Sequence, residues 1–243
     1  MTEEIQLNSS KLGTKEYWDN FYKKEQQNFK NNDEDTGECW FDDSDAENKM
    51  IQFIIDTLLP DLHQDKISFL DLGTGNGHLL FQLMEDLQEE LEEEEQKQFV
   101  FHGIDYSPDS IAFAKDISKT KYPENEFKFD QVDLLASDSE FLQNNKFDII
   151  LDKGTLDAIA LNQDPITNDG KRGMDIYANQ ISKMMIQNSI LLITSCNFTE
   201  DELIKVITTN TDLKVFEKIN YPSFQFGGIQ GSTVVSIAFN REK

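Results

Sequence analysis

From residue 67 to residue 195, short apolar runs alternate with helical stripes. That alternation constrains the fold more than any other feature of the chain. "ISFLDL" (67–72), "FVFHGID" (99–105), "EFKFDQVD" (126–133), "KFDIILDKG" (146–154) and "SILLITS" (189–195) each have the length and apolar content of a strand. Leu80, Leu83 or Met84, Leu87 and Leu91 recur at helical spacing after the first run. Ser107-Pro108 reads as an N-cap followed by proline at the first helical position. Beyond a Gly/Asp-rich loop (162–173), Tyr177, Ile181 and Met184 mark another helix, and Thr199 with Glu202 forms a capping box for the next. Repeated strand-then-helix units predict an α/β fold, a doubly wound and mostly parallel sheet with helices on both faces. "LKVFEKI" (213–219) and "STVVSIAF" (232–239) have no helix between them, only "NYPSFQFGGIQG", so they should pair antiparallel. The total is seven strands, with an antiparallel last strand.

The first 60 residues break the pattern. Residues 1–13 are polar. "TKEYWDNFYKKEQQNF" (14–29) spaces Tyr17, Trp18, Phe21, Tyr22 and Phe29 as an aromatic helix face, and packing is the favoured reading of Phe21 and Tyr22. "DTGECWFDDSDAE" (35–47) is acidic and reads as a loop, and "NKMIQFIIDTLLP" (48–60) as a helix stopped by Pro60. Residues 1–60 are therefore expected to form a helical extension that contributes to the active site. Residues 61–243 should form the α/β domain.

Charge narrows the function. The chain carries 46 acidic against 22 basic side chains, a net charge of −24, and has no basic run. Such a chain repels a phosphate backbone, which argues against direct nucleic-acid binding. The charge suits either a basic protein partner or plain solubility, since "EELEEEE" (89–95) looks like a solvated insertion. No segment is long and apolar enough to span a membrane, and "MTEEIQLNSSKLG" lacks the layout of a signal peptide. A cytoplasmic protein, also compatible with the nucleus, is expected. Cys39 and Cys196 read as reduced thiols, and His63, His78 and His102 do not cluster with them in sequence, so no metal site is expected.

"DLGTGNG" (71–77) sits between the first strand and its helix. Gly73 and Gly75 fit the start of a dinucleotide fingerprint, but the third glycine position holds His78 and the glycine falls one residue early, at Gly77. Asp71 would be poorly placed beside a pyrophosphate and well placed beside an ammonium group. S-adenosyl-L-methionine carries an ammonium, a sulfonium and a carboxylate, and no phosphate. The segment resembles the first motif of class I methyltransferases, a Rossmann-like family. That resemblance implies that Asp105 grips the ribose hydroxyls, Asp133 meets the adenine amino group, and Leu134 and Tyr106 cover the ring. Thr74, Ser107, Trp40 and Asp152 complete the implied cofactor set.

The stretch after the fourth strand, "DKGTLDAI" (152–159), lacks the Asn/Asp-Pro-Pro-aromatic motif of base methyltransferases. Together, "LGTKEYWDNFY", "DTGECWF", "DKGTLDAIAL", "LLITSCNFT" and "FQFGGIQGSTV" resemble the lysine methyltransferases of translation elongation factor 1A, over about residue 11 to residue 239. The resemblance implies methyl transfer to a lysine of that basic protein; a monomer is expected. It places Asp152, Lys153 and Thr155 at the acceptor, with Trp18, Trp40, Phe41 and Phe226 as aromatic positioning groups. Asp152 is expected to orient the ammonium or pass its proton to water. Lys153 also reads as a plain surface lysine, and Asp157 as a helix cap. Two alternatives stay open: a methyltransferase of another protein or small amine, and a non-catalytic module that only binds the cofactor.

Overall fold

The computed structural model describes residues 5, 7–90, 97–222, 224–226, 229–231 and 233–241. Its centre is a seven-stranded sheet built from β1 (Lys66–Leu72), β2 (Gln98–Asp105), β3 (Phe127–Gln131), β4 (Phe147–Lys153), β5 (Met185–Ser195), β6 (Leu213–Ile219) and, after the short pair β7 (Phe224–Phe226) and β8 (Ile229–Gly231), β9 (Val235–Arg241). The order is β3-β2-β1-β4-β5-β9-β6. The first five strands run parallel to one another, and β9 lies antiparallel between β5 and β6. The expected mostly parallel sheet with an antiparallel last strand is therefore present. The late pair is completed by insertion of the last strand into the sheet, and β7 and β8 pair apart from it.

Strand alternation separates two apolar layers. Phe69, Ile149 and Leu151 face α1 (Lys15–Asn31), α2 (Ala46–Phe53), α3 (His78–Glu90) and α4 (Pro108–Lys121). Leu70, Leu72 and Ile150 face α5 (Glu140–Asn144), α6 (Thr155–Ala160), α7 (Gly173–Ser182) and α8 (Glu200–Thr208). The aromatic helix α1 lies against α4, with Tyr22 and Phe29 buried in the first layer. Its N-terminus is capped by Thr14, whose hydroxyl accepts from Tyr17 N.

Local signals behaved as their chemistry demands. Ser107 caps α4 with Pro108 in its first turn, and Thr199 and Glu202 form the capping box of α8. Several elements differ from these expectations. β3 stops at Gln131, two residues short of Asp133, with Val132 N making the last bond to β2, at Asp105 O (2.9 Å). Pro60 does not follow a continuous α-helix: α2 ends at Phe53 and continues through a π turn to a 3₁₀ turn that contains the proline. α7 ends at Ser182, before Met184, and α6 is a helix where the sequence showed only a motif. Leu91 lies outside the described residues.

Candidate active site

The C-terminal rim of β1, β2 and β4 carries three buried carboxyl groups, Asp71, Asp105 and Asp152, and the turn after β1 lies among them. Gly73 and Gly75 hold positive φ angles of 61° and 59°. A side chain at Gly73 would collide with Thr155, and a Cβ on Gly75 would lie 2.5 Å from the Tyr22 hydroxyl. The glycines are thus demanded as much by these protein neighbours as by any ligand. Thr74 N donates to Ile104 O (2.9 Å) and Gly77 N to Thr74 O (2.8 Å), which fixes the turn before His78 opens α3.

Two buried carboxylates face this turn. Asp71, 4% exposed, is pushed up to about 7 by burial. Asp105, also buried, is raised chiefly by burial, although it accepts from Ser107 N (2.8 Å) and Gly75 N (3.2 Å). Ser110 Oγ closes the ring by donating to Gly75 O (2.8 Å). The Tyr22 hydroxyl completes the group. Burial and then the charges of Asp105 and Asp71 drive its pKa far above the ordinary value, so it stays a neutral donor. Packing alone is too narrow a description of Tyr22. Its spacing four residues after Trp18, on the same helix face, was the sequence signal.

Tyr106 is half-buried, with Lys15 Nζ 5.4 Å from its ring centre, and Ser107 is fully buried. Leu134 is buried. Asp133 is exposed, two residues past β3, and accepts from Leu135 N (2.9 Å). It sits beside the rim as an open turn residue, not at the strand end.

The acceptor side departs more from expectation. Asp152 is fully buried and points away from Asp71, into the α6–α7 layer. Its carboxylate accepts from Thr155 N (2.8 Å), Leu156 N (3.0 Å) and the Tyr177 hydroxyl, and burial still pushes it up to about 7. The expectation that Asp152 handles the acceptor ammonium is thereby corrected: its oxygens cap α6. Thr155 Oγ1 donates to Leu72 O (2.6 Å), tying α6 to the end of β1. Asp157 is likewise no cap of its helix, since it accepts from Ser195 Oγ and from Cys196 N (2.8 Å) at the end of β5.

Lys153 is no surface lysine. Its side chain is 10% exposed, and Nζ donates to Trp40 O (2.7 Å) and pairs with Glu47 Oε2 (3.1 Å). Glu47, equally buried, also meets His78 Nδ1 through Oε1 (2.6 Å) and the Cys39 thiol (3.6 Å). The Cys39 and Glu47 contacts raise His78 to about 10, so its ring is cationic. Cys39 and His78 therefore do cluster, in space though not in sequence. Neither Glu47 nor this meeting is legible in the sequence, because no local spacing joins residues 39, 47, 78 and 153.

Trp40 packs edge-on against Trp18 and Phe21 (5.4 and 6.1 Å between ring centres). Phe41, at positive φ, lays its ring against Gly154. The side chain of Phe226 lies outside what is described. Among the described residues, two buried polar side-chain atoms have no hydrogen-bond partner: Trp40 Nε1 and Thr74 Oγ1. Thr74 Oγ1 is near enough to Asp71 to temper its rise, yet makes no well-formed hydrogen bond to it. Orphaned donors and buried carboxylates short of counter-charge fit a ligand with an ammonium, a sulfonium and hydroxyls. They do not fit a pyrophosphate. S-adenosylmethionine is such a ligand.

Comparison with known proteins agrees. Residues 63–230 match a methyltransferase domain family. The chain is 46% identical to "Protein-lysine N-methyltransferase EFM4" of Saccharomyces cerevisiae over 97% of both chains. It is 33% identical to "EEF1A lysine methyltransferase 2" of Homo sapiens, over 96% of this chain and 87% of that one. A TehB-like SAM-dependent methyltransferase from Corynebacterium glutamicum shares the fold, with a TM-score of 0.56 at 15% identity over 92% of this chain and 98% of that one. The glycine turn, the paired rim carboxylates and relatives matched nearly end to end converge on one conclusion: the chain belongs to the protein-lysine N-methyltransferases of the S-adenosylmethionine-dependent class.

Proposed function

We propose that this chain methylates a lysine of translation elongation factor 1A. The observation that carries the substrate is the end-to-end match to a human relative whose name specifies that factor. The net charge of −24 supports a basic protein partner. We further propose that the enzyme acts as a cytoplasmic monomer and that residues 1–60 contribute to its active site. The ring cluster of Trp18, Tyr22 and Trp40 beside the rim supports that last point.

Asp71, Thr74, Trp40 and the turn from Gly73 to Gly77 would hold the methionine end of the cofactor. Asp105, Tyr106, Ser107, Asp133 and Leu134 would hold its nucleoside. When bound, the cofactor supplies an electrophilic methyl on a positively charged sulfur. The acceptor lysine must be neutral to attack it, and at pH 7 deprotonation costs about 4–5 kcal/mol from an ordinary pKa near 10.4. Asp152 does not pay that cost, since its oxygens are committed to α6 and Tyr177. Asp152, Lys153 and Thr155 act instead by holding the β4–α6 turn in place, the proton leaves to water, and the rate comes from alignment.

The test is transfer of an isotopic methyl group to recombinant elongation factor 1A, read by peptide mass spectrometry. A labelled lysine on the factor is expected. A cofactor-binding enzyme that labels only some other protein of a cell extract, or a free amine, would overturn the substrate assignment. Cofactor binding without any transfer would leave only a binding module.

A further inference from the structure

Glu47 lies outside every motif of the sequence, yet it joins the two loops on which methyl transfer depends. One oxygen meets His78, the residue directly after Gly77 of the cofactor turn. The other meets Lys153, which lies between Asp152 and Gly154 of the acceptor turn. Lys153 also holds the Trp40 carbonyl (2.7 Å), so the same junction anchors the loop that carries the unpartnered indole N–H. Glu47 as a whole is 7% exposed. Two cations converge on it in a poorly solvated place, where loss of the shared anion leaves them facing each other.

Cys39, Glu47 and His78 are also donor types that zinc takes, with ligand atoms within 4.8 Å of one another. Here, however, the Lys153 ammonium already stands 3.1 Å from Glu47 and 3.9 Å from Cys39 Sγ. The positive charge of this junction is built into the chain.

We propose that Glu47 is a positioning residue for methyl transfer: through Lys153 and His78 it sets the cofactor turn and the acceptor turn in register. It touches neither reactant. Its effect should fall on alignment, hence on kcat, more than on cofactor affinity. The proposal rests on the lysine-methylating activity above.

The experiment compares wild type, Glu47→Gln, Lys153→Met, Lys153→Arg and the Glu47→Gln/Lys153→Met pair. Methylation of elongation factor 1A at saturating substrates gives kcat, and calorimetry gives cofactor Kd. Thermal unfolding and the His78 imidazole resonances are followed in parallel. Glu47→Gln should lower kcat by roughly ten- to a hundred-fold, with Kd changed by less than about threefold. The His78 resonances should titrate at lower pH. The double variant should be no worse than the poorer single one, and Lys153→Arg should recover part of what Lys153→Met loses. The double variant also removes a cation with its anion, which guards against simple misfolding. A wild-type kcat in Glu47→Gln, or purely additive losses in the pair, would overturn the proposal. So would stoichiometric zinc uptake by the wild type. If wild type methylates no elongation factor 1A, the substrate assignment falls, and Kd, the resonances and turnover on whichever acceptor it does methylate still decide the role of Glu47.

Discussion

Replacing Asp71 by asparagine should make the empty protein more stable and the cofactor bind worse, and pH should separate the two effects. Burial moves this carboxyl from 3.8 to about 7, with no compensating partner strong enough to restore it. At 1.36 kcal/mol per pH unit, the ionised form costs ~4 kcal/mol in the folded state. The sign follows from proton counting. The folded protein binds more protons than the unfolded chain between pH 4 and 7, so stability falls as pH rises through that window and levels above it. Between pH 5.5 and 8 the Asp71 contribution is ~2 kcal/mol. An ammonium-bearing ligand favours the ionised form, so cofactor affinity should rise about tenfold per pH unit up to pH 7 and then flatten. Asp71→Asn removes both dependences. It also exchanges a charge-assisted hydrogen bond for a neutral one, which costs about 1–2 kcal/mol of binding above pH 7. Urea unfolding and calorimetric titration of wild type and variant at pH 5.5, 7 and 8 measure each quantity. A variant less stable than wild type at pH 8, or one whose cofactor affinity keeps the wild-type pH slope, would refute the reasoning.

Three further outcomes follow from the same geometry. Gly75→Ala should destabilise by about 1–3 kcal/mol, from its positive φ and the Tyr22 hydroxyl in the way, and cofactor binding should fall with it; Gly75→Ala/Tyr22→Phe should recover part of the stability, as read by thermal unfolding. Tyr177→Phe should cost about 1–3 kcal/mol in urea unfolding, because it removes a donor from the fully buried Asp152 carboxylate. It should also steepen the loss of stability as pH rises toward 8, since Asp152 is then harder to ionise. Asp105→Ala strips the acceptor from Gly75 N and Ser107 N, so it should weaken cofactor binding at least tenfold, about 1.4 kcal/mol, in calorimetry without changing the far-ultraviolet dichroism.

What the sequence alone determined is the part of this protein written in local periods. Strand-length apolar runs, helical stripes and caps are decided within a few residues, so the parallel sheet, the turn at Gly73–Gly77 and the placing of Asp71 and Asp105 on one rim were all readable. Family resemblance added the chemistry. Tertiary structure alone decided where side chains meet. A two-residue strand period says that Asp152 and Lys153 point to opposite faces, but not which face is the cleft, and Tyr177 and Glu47 settle that from 25 and 106 residues away. Insertion of β9 between β5 and β6 and the gathering of Cys39, Glu47, His78 and Lys153 have the same cause. Contacts between distant segments are chosen by burial and charge pairing in the folded chain, and such choices leave no periodic trace along it.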